Sequence, residues 1–140
     1  MRPIAIFRYS PSEGPGYFSD YLEARGRPWR IVRIDQGEGV PDDPRAFAGL
    51  VLMGGPMSVN DDLPWIPGTL ELVRRAVDTG VPCLGHCLGG QLISKALGGG
   101  GGGKPDIAQG GGAPNASPAA LAAAFDAVRS TLRDSGRTAR

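Results

Sequence analysis

Four apolar runs of strand length, separated by loops and helical patterns, constrain the fold more than any other feature of these 140 residues. "PIAIFRY" (residues 3–9) reads as a buried strand, and the "SPSEGPG" behind it is dense in turn formers. Residues 17–26, "YFSDYLEARG", place Phe18, Tyr21 and Leu22 at helical spacing and stop at a glycine. "WRIVRID" (29–35) alternates like a second strand, and "AGLVLMGG" (48–55) is a continuous apolar run that gives a third. Within residues 64–80, Leu70, Val73 and Val77 form the apolar face of a predicted helix that ends at Gly80; "VPCLGH" (81–86) is the fourth strand, and a third helix begins after Cys87. Strands alternating with helices at this spacing imply parallel pairing through right-handed crossovers, hence a three-layer α/β domain with a mainly parallel sheet. Such sheets carry their chemistry at the carboxyl ends of the strands, which singles out "MGGPMSVNDD" after the third strand and "GHCLGG" after the fourth.

The character of the chain changes at Gly98. Six consecutive glycines, 98–103, lead into "KPDIAQGGGAPNASPAA", whose composition offers too little apolar area to order itself. The expected division is an α/β part over residues 1–99, a disordered Gly/Ala/Pro-rich linker over 100–116, and a terminal helix and tail over 117–140. In that last segment Ser117 is the expected N-cap, Pro118 the first helical residue, and Leu121, Phe125, Val128 and Leu132 one apolar face. One core fits the length. Fifteen basic against fourteen acidic residues leave a net charge of +1 with no basic stripe, which argues against nucleic acid as a partner and for a small neutral substrate. No apolar stretch approaches the roughly 20 residues of a membrane span, and none reads as a signal peptide, so the expected location is the cytoplasm. The two cysteines, Cys83 and Cys87, lie in one strand-turn segment and are expected to be thiols.

Gly85, His86, Cys87, Leu88 and Gly89 spell G-x-C-x-G at the predicted strand-to-helix corner. Small flanking residues let strand and helix pack around a strained residue whose side chain is pushed into the open. The helix N-terminus there favours a thiolate, and the Leu88 amide is placed to donate to an oxyanion. A second donor is expected from "GGP" (54–56), where glycine lets a backbone amide approach a substrate. Other readings compete. Both cysteines could be core thiols beside a tight turn, and Gly-Gly-Pro could be a plain loop. A zinc site from Cys83, His86 and Cys87 is disfavoured, because those positions do not converge on a strand and a fourth ligand is missing. No metal and no cofactor are expected.

With "LVLMGGPMSVNDD" (50–62) and "PCLGHCLGGQLISKALGG" (82–99) in place, the chain resembles the class I, or triad, glutamine amidotransferases, and is similar to the glutaminase domain of GMP synthase. The resemblance implies a flavodoxin-like class I amidotransferase architecture, incomplete at its C-terminal side. It implies hydrolysis of glutamine to glutamate and ammonia through a glutamyl thioester on Cys87. Gly55 and Leu88 would then be the oxyanion donors, with Gly54 and Gln91 beside the bound glutamine, and a synthase or acceptor subunit a possible partner for the ammonia.

The family's base is the histidine of a later H-x-E motif, yet the one histidine of this sequence is His86, before the nucleophile. Side chains at successive positions near a strand end face opposite ways, so His86 is expected to point away from the sulfur. Activity is therefore expected to be impaired, and the change at Gly98 suggests a truncation or frameshift in the glycine-rich stretch. Two alternatives stand beside this: a non-catalytic glutamine-binding or regulatory subunit whose partner supplies the base, and a cysteine-nucleophile α/β-hydrolase, which lacks its histidine equally.

Overall fold

The structure, a computed structural model, describes residues 1–104, residues 107–111, and Ala119, Ala122 and Asp126. The chain runs β1 (Ile4–Arg8), α1 (Tyr17–Ala24), β2 (Trp29–Arg33), short 3-10 turns at Ile34–Gln36 and Pro44–Ala46, β3 (Gly49–Leu52), α2 (Trp65–Asp78), β4 (Cys83–Gly85) and α3 (Leu88–Ala96). β1 to β4 form one parallel sheet in the order β2-β1-β3-β4. β1 is central, with Ile6 opposite Ile31 on one side and Val51 on the other.

Alternation along the strands separates two apolar layers. Ala5 and Phe7 of β1 and Leu50 and Leu52 of β3 face Leu70, Val73 and Ala76 of α2 and Leu92 and Ala96 of α3. Ile6 and Val51 point to the opposite face, where Leu22 and Phe18 of α1 cover them. The expected three-layer α/β architecture is thereby present. Its finer contacts differ at two positions. Val77 is half exposed although it lies within the same angular stripe, since it stands in the last turn of α2; the buried residues of the helix are Ile66, Thr69, Leu70, Leu72, Val73 and Ala76. Tyr21 is likewise partly exposed, its ring stacked with Phe18 and covered by the Arg25 guanidinium at 3.6 Å.

Within the segment expected to be a linker, Gly100–Lys104 (β5) and Ile107–Gly111 (β6) pair antiparallel as a separate two-stranded sheet. Backbone pairing needs no side chains, which is why composition alone did not reveal it. The expected terminal helix falls mostly outside the described residues; Ala119, Ala122 and Asp126 are helical and exposed.

At the carboxyl end of the sheet, Arg8 clasps Asp35 through two bonds of 3.1 and 3.0 Å, joining β1 to the turn after β2. Next to it, Tyr9 is buried and stacks on Trp65 with ring centroids 4.6 Å apart. Its hydroxyl has no hydrogen-bond partner among the described residues. Burial drives the phenol's pKa far above its ordinary value, and the neighbouring Thr69 hydroxyl opposes this only weakly, since its own bond runs to the Trp65 carbonyl at 2.9 Å.

The folded state therefore holds the Tyr9 proton more tightly than the unfolded chain does. The stability this contributes is complete below the unfolded phenol's pKa of about 10 and falls as the pH rises beyond it. Denaturant midpoints of the native protein should drop more steeply above that pH than those of Tyr9→Phe. Near neutrality the variant should be within about 1 kcal/mol of the native protein, because it removes an unpaired hydroxyl.

Candidate functional site

Cys87 is the N-cap of α3, with φ 54° and ψ −114°, and it is the only non-glycine residue at positive φ among those described. L-residues avoid this region at a cost of about 1–3 kcal/mol, so the surroundings must enforce it. They do so through hydrogen bonds and through missing side chains. The His86 amide donates to the Leu52 carbonyl at 2.9 Å and the Gly89 amide to the Met53 carbonyl at 3.1 Å, so the end of β3 grips the corner on both sides of the cysteine. A β-carbon on Gly89 would collide with the Leu52 carbonyl, and one on Gly85 would sit 2.5 Å from the Gly90 amide nitrogen. The two glycines of G-x-C-x-G are thus the contact surfaces between strand and helix. The Cys87 side chain is exposed, whereas Leu88 and Gly89 are buried directly behind it.

The loop after β3 is built as firmly. The Ser58 amide donates to the Asp61 carboxylate at 2.9 Å and the Asn60 amide to the Ser58 hydroxyl at 3.1 Å, closing a tight turn around the buried Val59. Lys95 of α3 then donates to the Val59 carbonyl at 3.0 Å and to the Asn60 side chain at 3.1 Å. This tie sets Gly54 and Gly55 against the corner: a β-carbon on Gly54 would lie 3.5 Å from that of Cys87, and one on Gly55 would lie 3.1 Å from the Leu88 side chain. Gln91 is half-buried on the first turn of α3, where its amide donates to the Cys87 carbonyl at 3.1 Å.

The structure accordingly brings Gly54, Gly55, Cys87, Leu88 and Gln91 to one place. His86 is exposed, and no hydrogen bond links its ring to the Cys87 sulfur among the described residues. Cys83 lies within β4, half-buried, and burial pushes its thiol pKa up. No three metal-ligating side chains converge among the described residues. One neighbour of the site escaped the sequence reading. Glu13, in a turn closed by its own amide on the Ser10 carbonyl at 3.1 Å, brings its carboxylate to Gly54. The signal was available in that this loop, too, follows the carboxyl end of a strand.

The chain is similar to several known proteins. The family model for class-I glutamine amidotransferases matches residues 18–134, which runs past the glycine stretch. A crystal structure of a glutamine amidotransferase from Methylobacillus flagellatus superposes with a TM-score of 0.72 at 48% identity, covering 75% of this chain and 42% of that one. A Leptospira interrogans protein named as a glutamine-hydrolysing GMP synthase is 43% identical over 53 residues, 38% of this chain and 8% of its own length. The chain is also 58% identical over 135 residues, 86% of its length, to the alanine–tRNA ligase of Acidothermus cellulolyticus, of which this covers 14%. The chain thus spans less than half the length of each of these proteins.

The glycine contacts make a direct prediction. Gly89→Ala should destroy the corner and with it any preference of an alkylating agent for Cys87. Gly90→Ala, whose new carbon would come no closer than 3.6 Å to its surroundings, should keep that preference. In the native protein iodoacetamide, read by mass spectrometry, should modify Cys87 first, with Cys83 following only at more alkaline pH as its raised pKa dictates. A strained, exposed cysteine gripped between β3 and α3, together with the match over residues 18–134, establishes that this chain belongs to the class I glutamine amidotransferase family.

Proposed function

We propose that Cys87 is the nucleophile of a glutaminase half-site: its sulfur attacks the carboxamide carbon of glutamine, forming a glutamyl thioester and releasing ammonia, and water then frees glutamate. The observation that carries this reading is the backbone at Cys87, because a positive-φ cysteine capping a helix has its sulfur presented to solvent beside the first amide of that helix. In this reading the Leu88 amide, the first of α3, and the Gly55 amide stabilise the tetrahedral oxyanion, while Gly54 and Gln91 border the bound carboxamide. The ammonia would pass to a synthase or acceptor subunit, and the work would take place in the cytoplasm. Among the described residues no helix is long and apolar enough to cross a membrane.

The half-site lacks its proton acceptor. These residues contain no histidine besides His86, and transfer of the thiol and leaving-group protons by a positioned base contributes typically 10²–10⁴-fold, on the order of 3–5 kcal/mol. Residues 1–99 then act as the nucleophile-bearing part, 100–116 as a connecting segment and 117–140 as a tail outside the chemistry. The missing imidazole equally favours a second reading, a glutamine-binding or regulatory subunit whose partner supplies the base.

Ammonia release from glutamine by the purified protein should be at least a hundredfold below a typical turnover of about 10 s⁻¹. Turnover near that value would remove the claim of a missing base. A diazo-ketone analogue of glutamine should nonetheless label Cys87, and failure to do so would overturn the nucleophile assignment. Rescue of ammonia release by a cell fraction, together with calorimetric binding of glutamine, would select the subunit reading.

A further inference from the structure

The amino ends of the strands hold a feature that the chemistry of the elbow leaves unused. A cavity of about 470 Å³ opens there, lined by Arg2, Arg25 and Arg27 together with Tyr21 and Leu22 of α1 and Ile4 of β1. Its place in the fold follows from Ile4, the first residue of β1, and from Pro28 and Ala48, which immediately precede β2 and β3 and share the lining. Cys87 follows β4 at the opposite end of the same parallel sheet.

Two segments bring the three guanidinium groups together. Gly26, at φ 60°, turns the chain after α1, and the arginines on either side of it both line the cavity. Arg2 comes from the segment before β1, and its Nη1 donates to the Arg45 carbonyl at 2.6 Å. Arg25 lies over the Tyr21 ring at 3.6 Å, and Arg27 meets the Met1 sulfur, a weak acceptor, at 3.9 Å. The ion pairs among the described residues engage Arg8, Arg30, Arg45 and Arg74, and none engages these three. No carboxylate lines the cavity among the described residues; Glu23 borders Arg27 from an adjoining hollow.

The end of α1 does not account for the cluster. Its Leu22 and Glu23 carbonyls already accept from the backbone amides of Arg25, Gly26 and Arg27 at 2.9 to 3.1 Å. A cation there complements the helix dipole, but Arg2 arrives from another element and adds a like charge to the same space, at a Coulombic cost. An anion in the cavity would reverse that cost. Guanidinium groups match phosphate oxygens through paired N–H···O bonds, and Ile4 and Leu22 offer the same ligand an apolar surface. The volume lies in the range of small-molecule sites.

We propose that this cavity binds a small phosphomonoester carrying an apolar or aromatic body, its phosphate held by Arg2, Arg25 and Arg27 and its body against Ile4 and Leu22. The site is separate from Cys87 and independent of the glutaminase reading.

Phenyl phosphate is the probe, titrated calorimetrically into the full chain at neutral pH and low salt. It should bind with a Kd below about 1 mM, whereas phenol, which lacks the charge, and inorganic phosphate, which lacks the ring, should each bind about tenfold more weakly. Arg25→Gln and Arg27→Gln should each weaken binding about tenfold, the loss expected for one charge-assisted contact. Arg75→Gln, which removes an exposed arginine from the last turn of α2, should leave it unchanged. Equal weakening by Arg75→Gln would mean that net charge alone attracts the probe, and would overturn the site. Loss of binding after alkylation of Cys87 by iodoacetamide would place the anion at the start of α3 instead, and would overturn it too. Phenol binding as tightly as phenyl phosphate, or no binding of phenyl phosphate up to about 1 mM, sinks the proposal even where the arginine variants do not fold. Inorganic phosphate binding as tightly as phenyl phosphate would refute the ligand class.

Discussion

The forced backbone of Cys87 is the constraint around which the rest of this structure is arranged. Positive φ at a residue with a β-carbon is held here by two hydrogen bonds from the corner to the carbonyls of Leu52, the last residue of β3, and of Met53 after it, and by contacts at Gly85 and Gly89 that leave no room for a methyl group. Those carbonyls are in place because β3 is pinned between β1 and β4, with all four of its residues buried. The packing of Leu50 and Leu52 on α2 and α3 is thus coupled to the geometry of a single thiol. Strain is tolerated where a packed core over-determines the conformation, and the core lies directly beneath this corner.

The same dependence explains how much of the molecule could be read from its sequence. The strand-helix alternation and the elbow are legible because both are local: a period of two or about 3.6, and glycines at fixed offsets from a cysteine. The four parallel strands and three helices follow that reading, with shifts of a few residues where strands end in turns. Val77 was misplaced because helical spacing gives the angle of a position but not how far along the helix the core extends, and Val77 stands in the last turn of α2. The β5–β6 pair was invisible because glycine carries no side-chain pattern to read, although its backbone can still complete a ladder.

Glu13 was missed for a different reason. Its placement depends on contact between the loops after β1 and β3, which are adjacent in the sheet though some forty positions apart in the chain. Nothing in "SPSEGPG" alone distinguishes a carboxylate facing solvent from one half-buried against Gly54. Parallel topology makes such meetings systematic: every strand delivers its following loop to the same edge, so sites assemble from segments that share no sequence neighbourhood. Tyr9 and Trp65, stacked across the same edge, are a second instance, and Arg8 with Asp35 is a third.

That principle also divides the chemistry of the family to which this chain belongs. The exposed cysteine, the start of α3 and the glycine loop lie within the 38 positions from Gly54 to Gln91, and one sheet edge holds them all. A base need not be close in sequence; it must only arrive at the same edge from a further strand. β4 is the outermost strand of the four-stranded sheet, and Leu84 on it is 54% exposed. A strand edge exposes unpaired backbone groups along its length. Cys87, two residues past the end of β4, therefore stands at one border of the described four-stranded sheet. A segment pairing along β4 would lie directly beside the corner that carries Cys87.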